Sequence, residues 1–300
     1  MTSPPIVADH LTKRFGHDRG ISDVSLVVEQ GELFGFLGPN GAGKSTTIRC
    51  LLGLYRPNTG QARVLGTDPA AGDAAFLAQV GYLPGELRLP ERLTGAEVLA
   101  AFRRMRGAHD TAYESGLVRR FSVELDRPIG TLSKGNKQKL GLVLAFAHRP
   151  QVLVLDEPTS GLDPLLQDEF AALLRETAAD GRTVLLSSHD LDEVQRVVQR
   201  VAIIRSGRIV VDDTVASLRA AAPRTVELTF DHEVDAQSLA AVPGVTMTRP
   251  IGRHIVLTHT GSAGPVLAAI APMQPDTITA RPADLEELFL RLYGEDTDGN

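Results

Sequence analysis

Cysteine and tryptophan are scarce in this sequence: its 300 residues include one cysteine and no tryptophan. The single cysteine, Cys50, excludes an intramolecular disulfide, and it favours a reducing compartment such as the cytoplasm. Long hydrophobic runs are also missing, because LVLAFA at 142–147 is far shorter than the about 20 apolar residues that span a bilayer. The first ten residues lack the basic start and apolar stretch of a secretory signal. We therefore expect a chain that crosses no membrane by itself.

An excess of positive charge is lacking as well. Lys and Arg total 31 against 37 Asp and Glu, for a formal net charge of -6. This sign is wrong for a general nucleic-acid binder, so we expect no nucleic-acid partner and only a local phosphate site. With 43% hydrophobic and 23% charged residues, the chain is long enough to bury one large core or two smaller ones.

Short β-rich runs alternate with amphipathic stretches from Ile6 to about Ala222. This alternation predicts an α/β domain over residues 1–222, in which helices cover a sheet. Between Thr94 and His148 the β signal fades, which predicts an inserted helical subdomain over about 86–148. Strands are expected at 24–28, 32–37, 151–156, 183–188 and 201–205, and helices in the insertion at about 95–106, 111–121 and 135–147.

A rise in proline content after Ala222 predicts a second domain over residues 223–300. Its signals run strand, helix, strand, strand, helix, strand, followed by a last helix in ADLEELFLRLY at 283–293. That order is typical of a small α+β, ferredoxin-like domain. The last helix carries an apolar stripe of Leu285, Leu288, Phe289 and Leu292, so we expect this accessory domain to dock and to regulate. The alternative is a passive stabilising appendage.

The segment GPNGAGKST directly follows the strand that ends at Leu37 and opens a helix. Its glycine spacing and its Lys-Ser pair are those of the phosphate-binding loop of P-loop proteins, in which backbone N–H groups and a helix N-terminus face phosphate. Lys44 would reach the β- and γ-phosphates, and Ser45 would bind Mg²⁺. The expected nucleotide-binding residues are Gly38, Pro39, Asn40, Gly41, Ala42, Gly43, Lys44, Ser45 and Thr46.

A second motif, which is acidic, lies downstream, where the apolar strand at 152–155 ends in Asp156 and Glu157. A carboxylate at the carboxyl end of a strand beside a phosphate loop is where a Mg²⁺-linked aspartate belongs. Glu157 could then orient or deprotonate an attacking water. Strands often end in solvated acids, so the pair is informative mainly together with the loop at 38–46.

Three further segments have ordinary structural readings when taken singly. LSKGNKQK at 132–139 resembles an N-capped helix start. SGLD at 160–163 resembles a turn before a helix, and His189 at the tip of a strand is more often structural than catalytic.

Together, these segments resemble the ATP-binding subunits of ABC transporters over Ile6 to about Leu218, because five motifs occur in that family's order. The resemblance implies that two copies enclose two ATP molecules with Mg²⁺. It implies that Ser133 and Gly135 contact the γ-phosphate bound to the partner chain and that Asp163 lies at the interface. His189 would hold the γ-phosphate and the attacking water. Phe15 occupies the position of the family's adenine-stacking aromatic, although a core Phe is the alternative.

Two departures from the family pattern stand out. In the signature segment, Lys134 and Asn136 replace a Gly and the Gln of the usual LSGGQ. After GYLP at 81–84, the chain has Gly85 where the family commonly has a Mg²⁺-contacting Gln, followed by Glu86. Either Glu86 joins the metal site in its place, or Glu86 is solvated and water completes the octahedron.

The variants LSKGNKQK, GYLPGE and ADLEELFLRLYGED are most similar to ATPases of exporters with separately encoded permeases, particularly actinobacterial ones. The resemblance implies an ATP-hydrolysing motor on the cytoplasmic face of the membrane, peripherally bound, with an integral-membrane permease and a second identical chain as partners. The cargo would be a drug, antibiotic, lipid or polysaccharide.

Three other functions compete with this interpretation. A soluble ABC-type ATPase acting on ribosomes or DNA usually has two nucleotide domains or a long coiled coil, and this chain has neither pattern. A small-molecule P-loop kinase does not account for LSKG, SGLD and His189 together. A regulatory module without turnover is disfavoured by Glu157.

Overall fold

The chain divides into two compact units, Met1–Asp212 and Asp213–Asn300. This division falls ahead of the boundary at 222/223 that the composition suggested, because the helix Val215–Ala221 belongs with the second unit. That helix contains no proline, so a boundary set by proline content misses it. The computed structural model describes residues 3–16, 19–72, 74–106, 110–232 and 234–281.

Strands and helices alternate through the first unit. Its strands are β1 (Ile6–Phe15), β2 (Arg19–Val28), β3 (Leu33–Leu37), β4 (Thr59–Val64), β5 (Val80–Leu83), β6 (Val152–Asp156), β7 (Thr183–Ser188), β8 (Arg200–Arg205) and β9 (Arg208–Thr214). Its helices are α1 (Lys44–Leu51), α2 (Ala74–Ala78), α3 (Gly95–Arg106), α4 (Thr111–Arg120), α5 (Lys134–Phe146), α6 (Pro164–Ala179) and α7 (Leu191–Val194).

A six-stranded sheet in the order β5-β6-β7-β3-β8-β9 forms the centre of this unit. The strands from β5 to β8 pair in parallel, and every residue of β6 and β7 is buried, as expected for strands covered on both faces. In register, Leu37 pairs with Ser188 and Asp156 pairs with Ser187. The carboxyl ends of β3, β6 and β7 therefore meet at one edge of the sheet. The α/β architecture predicted from the alternation is confirmed.

A separate antiparallel sheet has the order β2-β1-β4. The strand expected at 24–28 is confirmed as part of β2, whereas β1 and β4 were not predicted from the sequence patterns. Its β1 is interrupted by register shifts, and β4 reads TGQARV with most residues exposed. Neither strand has the continuous apolar run that marks the central strands. Buried residues of both sheets and of α1 form one hydrophobic core.

The three helices expected between Thr94 and His148 are confirmed, to within one residue at each end, as α3, α4 and α5. Their starts have identifiable caps. The Thr94 hydroxyl accepts from the Glu97 N–H at 3.2 Å and the Glu97 carboxylate accepts from the Thr94 N–H at 2.8 Å, which makes a capping box at α3. At α4 the cap is a simple one, in which the Asp110 carboxylate accepts from the Ala112 and Tyr113 N–H groups.

The second unit begins at Asp213, within the last two residues of β9. It continues with α8 (Val215–Ala221) and then as a strand-helix-strand-strand-helix-strand series. Its four strands form an antiparallel sheet in the order β11-β12-β10-β13, with a core that includes Leu228, Phe230 and Leu257. The helix expected at 283–293 lies outside the described residues. The elements after α8 are β10 (Arg224–Thr229), α9 (Gln237–Ala240), β11 (Val245–Ile251), β12 (His254–His259), α10 (Gly264–Ile270) and β13 (Thr277–Ala280).

Cys50 is buried in α1, and burial raises the pKa of its thiol to about 11. The residue therefore behaves as a small apolar side chain. None of the helices within the described ranges has the length and apolar character needed to span a bilayer.

Candidate functional site

The glycine-rich segment forms a tight loop between β3 and α1. Gly41 and Gly43 have backbone φ angles of 83° and 116°, values that residues other than glycine rarely adopt. A Cβ on Gly38 would lie 2.3 Å from the Ile204 carbonyl oxygen, and one on Gly43 would lie 2.7 Å from Ile21 Cγ2. Only glycine fits these positions, so the glycine pattern is a requirement of the loop's shape.

The loop is anchored at both ends by backbone hydrogen bonds. Gly38 N–H donates to the Ser188 carbonyl at 3.3 Å, and Gly207 N–H donates to the Ala42 carbonyl at 2.9 Å. Gly43 caps α1 without a side-chain hydrogen bond, so the N–H groups of the first turn have no side-chain cap among the described residues. These groups and the helix dipole make an N-terminus suited to anions. Pro39 and Asn40 are exposed at the tip of the loop, whereas Ala42 is buried and Thr46 is half-buried.

Lys44 lies across the loop with its side chain almost fully buried. Its ammonium group donates to the Gly38 carbonyl at 2.5 Å and to the Pro39 carbonyl at 3.4 Å. It also forms an ion pair with Glu157 Oε1 at 3.2 Å. A buried ammonium is thus held at the centre of the anion-ready loop, and its charge is balanced by a carboxylate from β6's end.

Asp156 at the end of β6 is bound by two hydroxyl groups. Ser45 Oγ donates to Oδ2 at 2.8 Å, and Ser187 Oγ donates to Oδ1 at 2.5 Å. The carboxylate is only 2% exposed. Burial, followed by the negative charge of Asp156, raises the pKa of the nearby Tyr82. Ser45 and Asp156 together supply hard oxygen atoms, the donor type that Mg²⁺ prefers.

Glu157 adopts an unusual backbone conformation, with φ of 51°. A non-glycine residue in this left-handed region is uncommon and concentrates at functional sites. Its carboxylate Oε2 lies 2.7 Å from His189 Nδ1, and its other oxygen faces Lys44. The His189 side chain is 58% exposed and that of Glu157 is 20% exposed. A carboxylate and an imidazole therefore meet at the solvent-facing side of the cluster.

Ser133 and Gly135 lie at the start of α5, in a second cluster. Ser133 caps the helix by accepting from the Asn136 N–H at 3.2 Å. A Cβ on Gly135 would lie 2.8 Å from the Gly161 carbonyl oxygen, so only glycine allows this close approach. Lys134 Nζ donates to Ser160 Oγ at 3.1 Å. The signature segment thus packs directly on the SGLD turn.

Asp163 ends that turn and caps α6, because its carboxylate accepts from the Leu166 N–H at 3.0 Å. Two further polar side chains on α5 are buried, Asn136 and Gln138. The sequence marked Asn136 only as a departure from the usual signature, and it did not single out Gln138. Asn136 donates to Glu124, and Gln138 donates to the Pro158 carbonyl at 2.9 Å. The sequence places both within the LSKGNKQK segment, but the direction in which each side chain points depends on the packing of α5.

Phe15 ends β1 and has an exposed ring, at 41%. It packs edge-on against Tyr55 with ring centroids 5.2 Å apart, and Lys13 Nζ lies 5.4 Å from its centroid. An exposed aromatic face fits the stacking interpretation better than the core alternative. Tyr55 was missed because it lies in a loop without a motif.

Gly85 lies beside Asp156, since a Cβ added to it would be 3.4 Å from Asp156 Oδ2. Glu86 instead pairs with Arg88 at 3.2 Å, and both side chains are more than four-fifths exposed. Within the described residues, no hydrogen bond or ion pair joins Glu86 to Ser45 or Asp156.

The structure thus brings Lys44, Ser45, Asp156, Glu157 and His189 into one cluster at the carboxyl edge of the central sheet. Ser133, Gly135 and Asp163 form the second cluster around the SGLD turn. Phe15 and Glu86 lie outside both clusters as far as the described hydrogen bonds and ion pairs extend.

Comparisons with known proteins identify the family. The ABC transporter family matches residues 21–160. The chain is 33% identical to the Nod factor export ATP-binding protein I of Paraburkholderia xenovorans, over 99% of both chains. It is 31% identical to the bacitracin transport ATP-binding protein BcrA of Bacillus licheniformis, over 96% of this chain and 97% of that one.

Solved structures show the same fold. An ATP-binding subunit of an ABC transporter is 33% identical and superposes with a TM-score of 0.67, over 71% of this chain and 91% of that chain. The dimeric structure of MJ0796, a bacterial ABC transporter cassette, has a TM-score of 0.63 at 22% identity, over 70% of this chain and 98% of that chain. The phosphate loop, the acidic pair and these relatives together establish that the chain belongs to the ATP-binding subunits of ABC transporters and is an ATPase of that family.

Proposed function

We propose that this protein is the ATP-hydrolysing motor of an ABC exporter and energises transport through a separate membrane permease. The observation that carries the proposal is the cluster in which Lys44, Asp156, Glu157 and His189 converge beside the glycine loop. Similarity to ATP-binding proteins of Nod factor export and of bacitracin transport supports an exporter whose cargo is a drug, antibiotic, lipid or polysaccharide.

The phosphate loop binds the triphosphate of ATP. Its backbone N–H groups and the N-terminus of α1 neutralise phosphate oxygens, and Lys44 turns from the Gly38 and Pro39 carbonyls to the β- and γ-phosphates. Lys44 already lies at the loop with its side chain buried, so it forms this contact without crossing solvent. Thr46 lies near the α-phosphate, and the exposed ring of Phe15 stacks on the adenine.

Ser45 and Asp156 hold Mg²⁺ in this proposal. Their hydroxyl and carboxylate oxygens suit a hard cation, and Mg²⁺ sites typically combine one or two protein oxygens with substrate phosphates and water. When bound, the ion neutralises charge that develops on the phosphate oxygens. The Ser187 hydroxyl binds Asp156 Oδ1 and thereby keeps Asp156 Oδ2 directed at Ser45. Glu86 pairs with Arg88 in solvent, so water takes the place of a Glu86 oxygen at this site.

Glu157 acts on the attacking water. Its carboxylate accepts a proton from the water as the water oxygen bonds to the γ-phosphorus, and the bond from that phosphorus to the bridging oxygen breaks to release ADP. His189, in contact with Glu157, holds the γ-phosphate and the water in line. One general base typically contributes about 10² to 10⁴ in rate.

Two copies of the chain work as a pair. Ser133 and Gly135 contact the γ-phosphate bound to the partner copy, and Asp163 lies at the interface. The position of these residues at the N-terminus of α5 supports this role, because such an N-terminus attracts phosphate oxygens. The expected symmetry is two-fold, with the same surfaces exchanged.

In this proposal, residues 1–222 form the ATPase domain, which includes a helical subdomain at about 86–148. Residues 223–300 follow in the chain as a ferredoxin-like accessory domain. The antiparallel strand order β11-β12-β10-β13 with two helical crossovers supports the assignment. Because the accessory domain carries no nucleotide motif, its role is to modulate association. The whole protein binds peripherally at the cytoplasmic face of the membrane through its permease.

Turnover by the full chain tests the ATPase part of the proposal. Glu157→Gln should keep ATP affinity and lower the rate of phosphate release by about 10² to 10⁴. Glu91→Gln, which neutralises an exposed carboxylate elsewhere, is the matched control and should behave as wild type. Undiminished steady-state turnover in Glu157→Gln would remove Glu157 from the role of base.

The exporter part is tested separately by affinity capture of the tagged full chain from detergent-solubilised membranes. A multi-helix membrane protein in roughly stoichiometric amount is the expected partner. Capture of ribosomal proteins without any membrane protein would contradict an exporter and favour a soluble ABC-type ATPase.

A further inference from the structure

Helix α5 is joined at three points to the segment that follows Glu157, residues 158–162, which we call the post-acidic loop. Lys134 Nζ donates to Ser160 Oγ at 3.1 Å, and Gly135 packs against Gly161. The third contact is made by Gln138, whose amide nitrogen donates to the Pro158 carbonyl at 2.9 Å. The start of α5 therefore contacts the post-acidic loop at both ends and in its middle.

Gln138 is the deepest of these contacts, at 5% exposure. Its amide nitrogen donates not only to Pro158 but also to the Glu157 carbonyl, at 3.4 Å. Buried amides normally have their hydrogen bonds satisfied, and here both acceptors belong to the turn that carries the acidic pair. A direct hydrogen-bonded link therefore runs from the signature helix to the backbone of Glu157.

The backbone of Glu157 needs such support. Its φ of 51° is unfavourable for an L-residue and persists only where surrounding contacts hold it. On one side, the Glu157 N–H donates to the Ser187 carbonyl at 3.1 Å. On the other side, the Glu157 carbonyl accepts from Gln138 and from the Ser160 N–H. This conformation points the carboxylate at Lys44 and His189.

We propose that Gln138 is a positioning residue for hydrolysis, which acts by holding the Glu157–Pro158 backbone so that the Glu157 carboxylate faces the attacking water. The inference rests on the proposed role of Glu157 as general base. It assigns to the signature helix a task within its own chain, besides the contact of Ser133 and Gly135 with the partner's ATP. One helix thus carries both Ser133 and Gln138.

The test uses the full chain carrying Gln138→Met, which keeps the side-chain length and removes the amide. Single-turnover hydrolysis of ATP with Mg²⁺ should slow about tenfold, the size expected when about one hydrogen bond's worth of positioning is lost. The Kd for ATP should stay within about twofold, because the phosphate loop is untouched. Lys139→Met is the matched control, because the Lys139 side chain projects from α5 about 100° away from that of Gln138. This variant should keep the wild-type hydrolysis rate and the wild-type Kd for ATP.

The double variant Gln138→Met, Glu157→Gln distinguishes positioning of Glu157 from a general structural role of Gln138. If Gln138 acts through Glu157, the double variant should hydrolyse ATP no more than about twofold more slowly than Glu157→Gln alone. Full multiplication of the two losses, or an unchanged rate in Gln138→Met with normal ATP binding, would overturn the proposal.

If Gln138→Met does not fold, Gln138→Asn retains the amide on a shorter side chain. It should give an intermediate loss of rate with unchanged Kd, and a wild-type rate would overturn the proposal. Absence of hydrolysis in the wild-type chain would instead reject the proposed function itself, so the two failures are distinguishable.

Discussion

Ser187→Ala should destabilise the protein more than the same change at its neighbour Ser188. Both serines are buried at the end of β7, but only the Ser187 hydroxyl donates to a buried carboxylate, Asp156 Oδ1 at 2.5 Å. The Ser188 hydroxyl instead accepts from the neutral Asp190 N–H at 2.9 Å. The pair therefore compares a charged with a neutral hydrogen bond at one place in the fold.

The magnitude follows from these partners. Hydrogen bonds to charged groups contribute about 1.5 to 3 kcal/mol, against about 1 kcal/mol for neutral ones. The Glu157 N–H, which also lies 3.3 Å from Ser187 Oγ, keeps its bond to the Ser187 carbonyl in the variant. For a unit of this size, about 2 to 4 °C of Tm corresponds to 1 kcal/mol. Ser187→Ala should thus lower the Tm by about 3 to 12 °C, and Ser188→Ala by about 2 to 4 °C.

Thermal unfolding of the two full-length variants and wild type, followed by circular dichroism at pH 7 without nucleotide, makes the comparison. A shift for Ser188→Ala that equals or exceeds that for Ser187→Ala would refute the reasoning. It would mean that Asp156 does not depend on the Ser187 hydroxyl.

Three further predictions concern other parts of the chain. Burial raises the pKa of Cys50 to about 11, so Cys50 should resist iodoacetamide at pH 8 in the folded protein and react in urea. Rapid alkylation of the folded chain would contradict its burial. The Thr94 backbone N–H and hydroxyl lower the pKa of Glu97, so its stabilisation is present above the ordinary glutamate pKa and is lost as pH falls through the lowered value. The Tm difference between wild type and Glu97→Gln should therefore shrink from pH 7 to pH 3, and a constant difference would exclude the ionised cap. Glu86→Ala should leave the Mg²⁺ concentration for half-maximal hydrolysis unchanged, because Glu86 pairs with Arg88 in solvent; a raised requirement would return Glu86 to the metal site.

The phosphate loop and the acidic pair were predictable because their determinants are local. Gly41 and Gly43 need positive φ, and Gly38 and Gly43 leave no room for a Cβ, so the glycine spacing is visible in the sequence. The strand ending in Asp156 is marked by a continuous apolar run, which indicates burial on both faces. Parallel pairing then brings β3, β6 and β7 to one edge.

Contacts that depend on tertiary packing could not be predicted in this way. Gln138 and Ser187 are ordinary polar residues in sequence, and their importance comes from the neighbours that α5 and β7 place beside them. β1 and β4 escaped prediction because pairing, not an apolar run, makes them strands. The unit boundary at 212/213 likewise depends on tertiary contacts, which proline content does not report.

Light scattering of the full-length Glu157→Gln chain tests most directly the claim that two copies enclose ATP between the phosphate loop of one and Ser133 and Gly135 of the other. With saturating ATP and Mg²⁺ the mass should correspond to two chains, and with ADP to one. A monomer at saturating ATP, or a dimer of equal affinity with either nucleotide, would contradict the account.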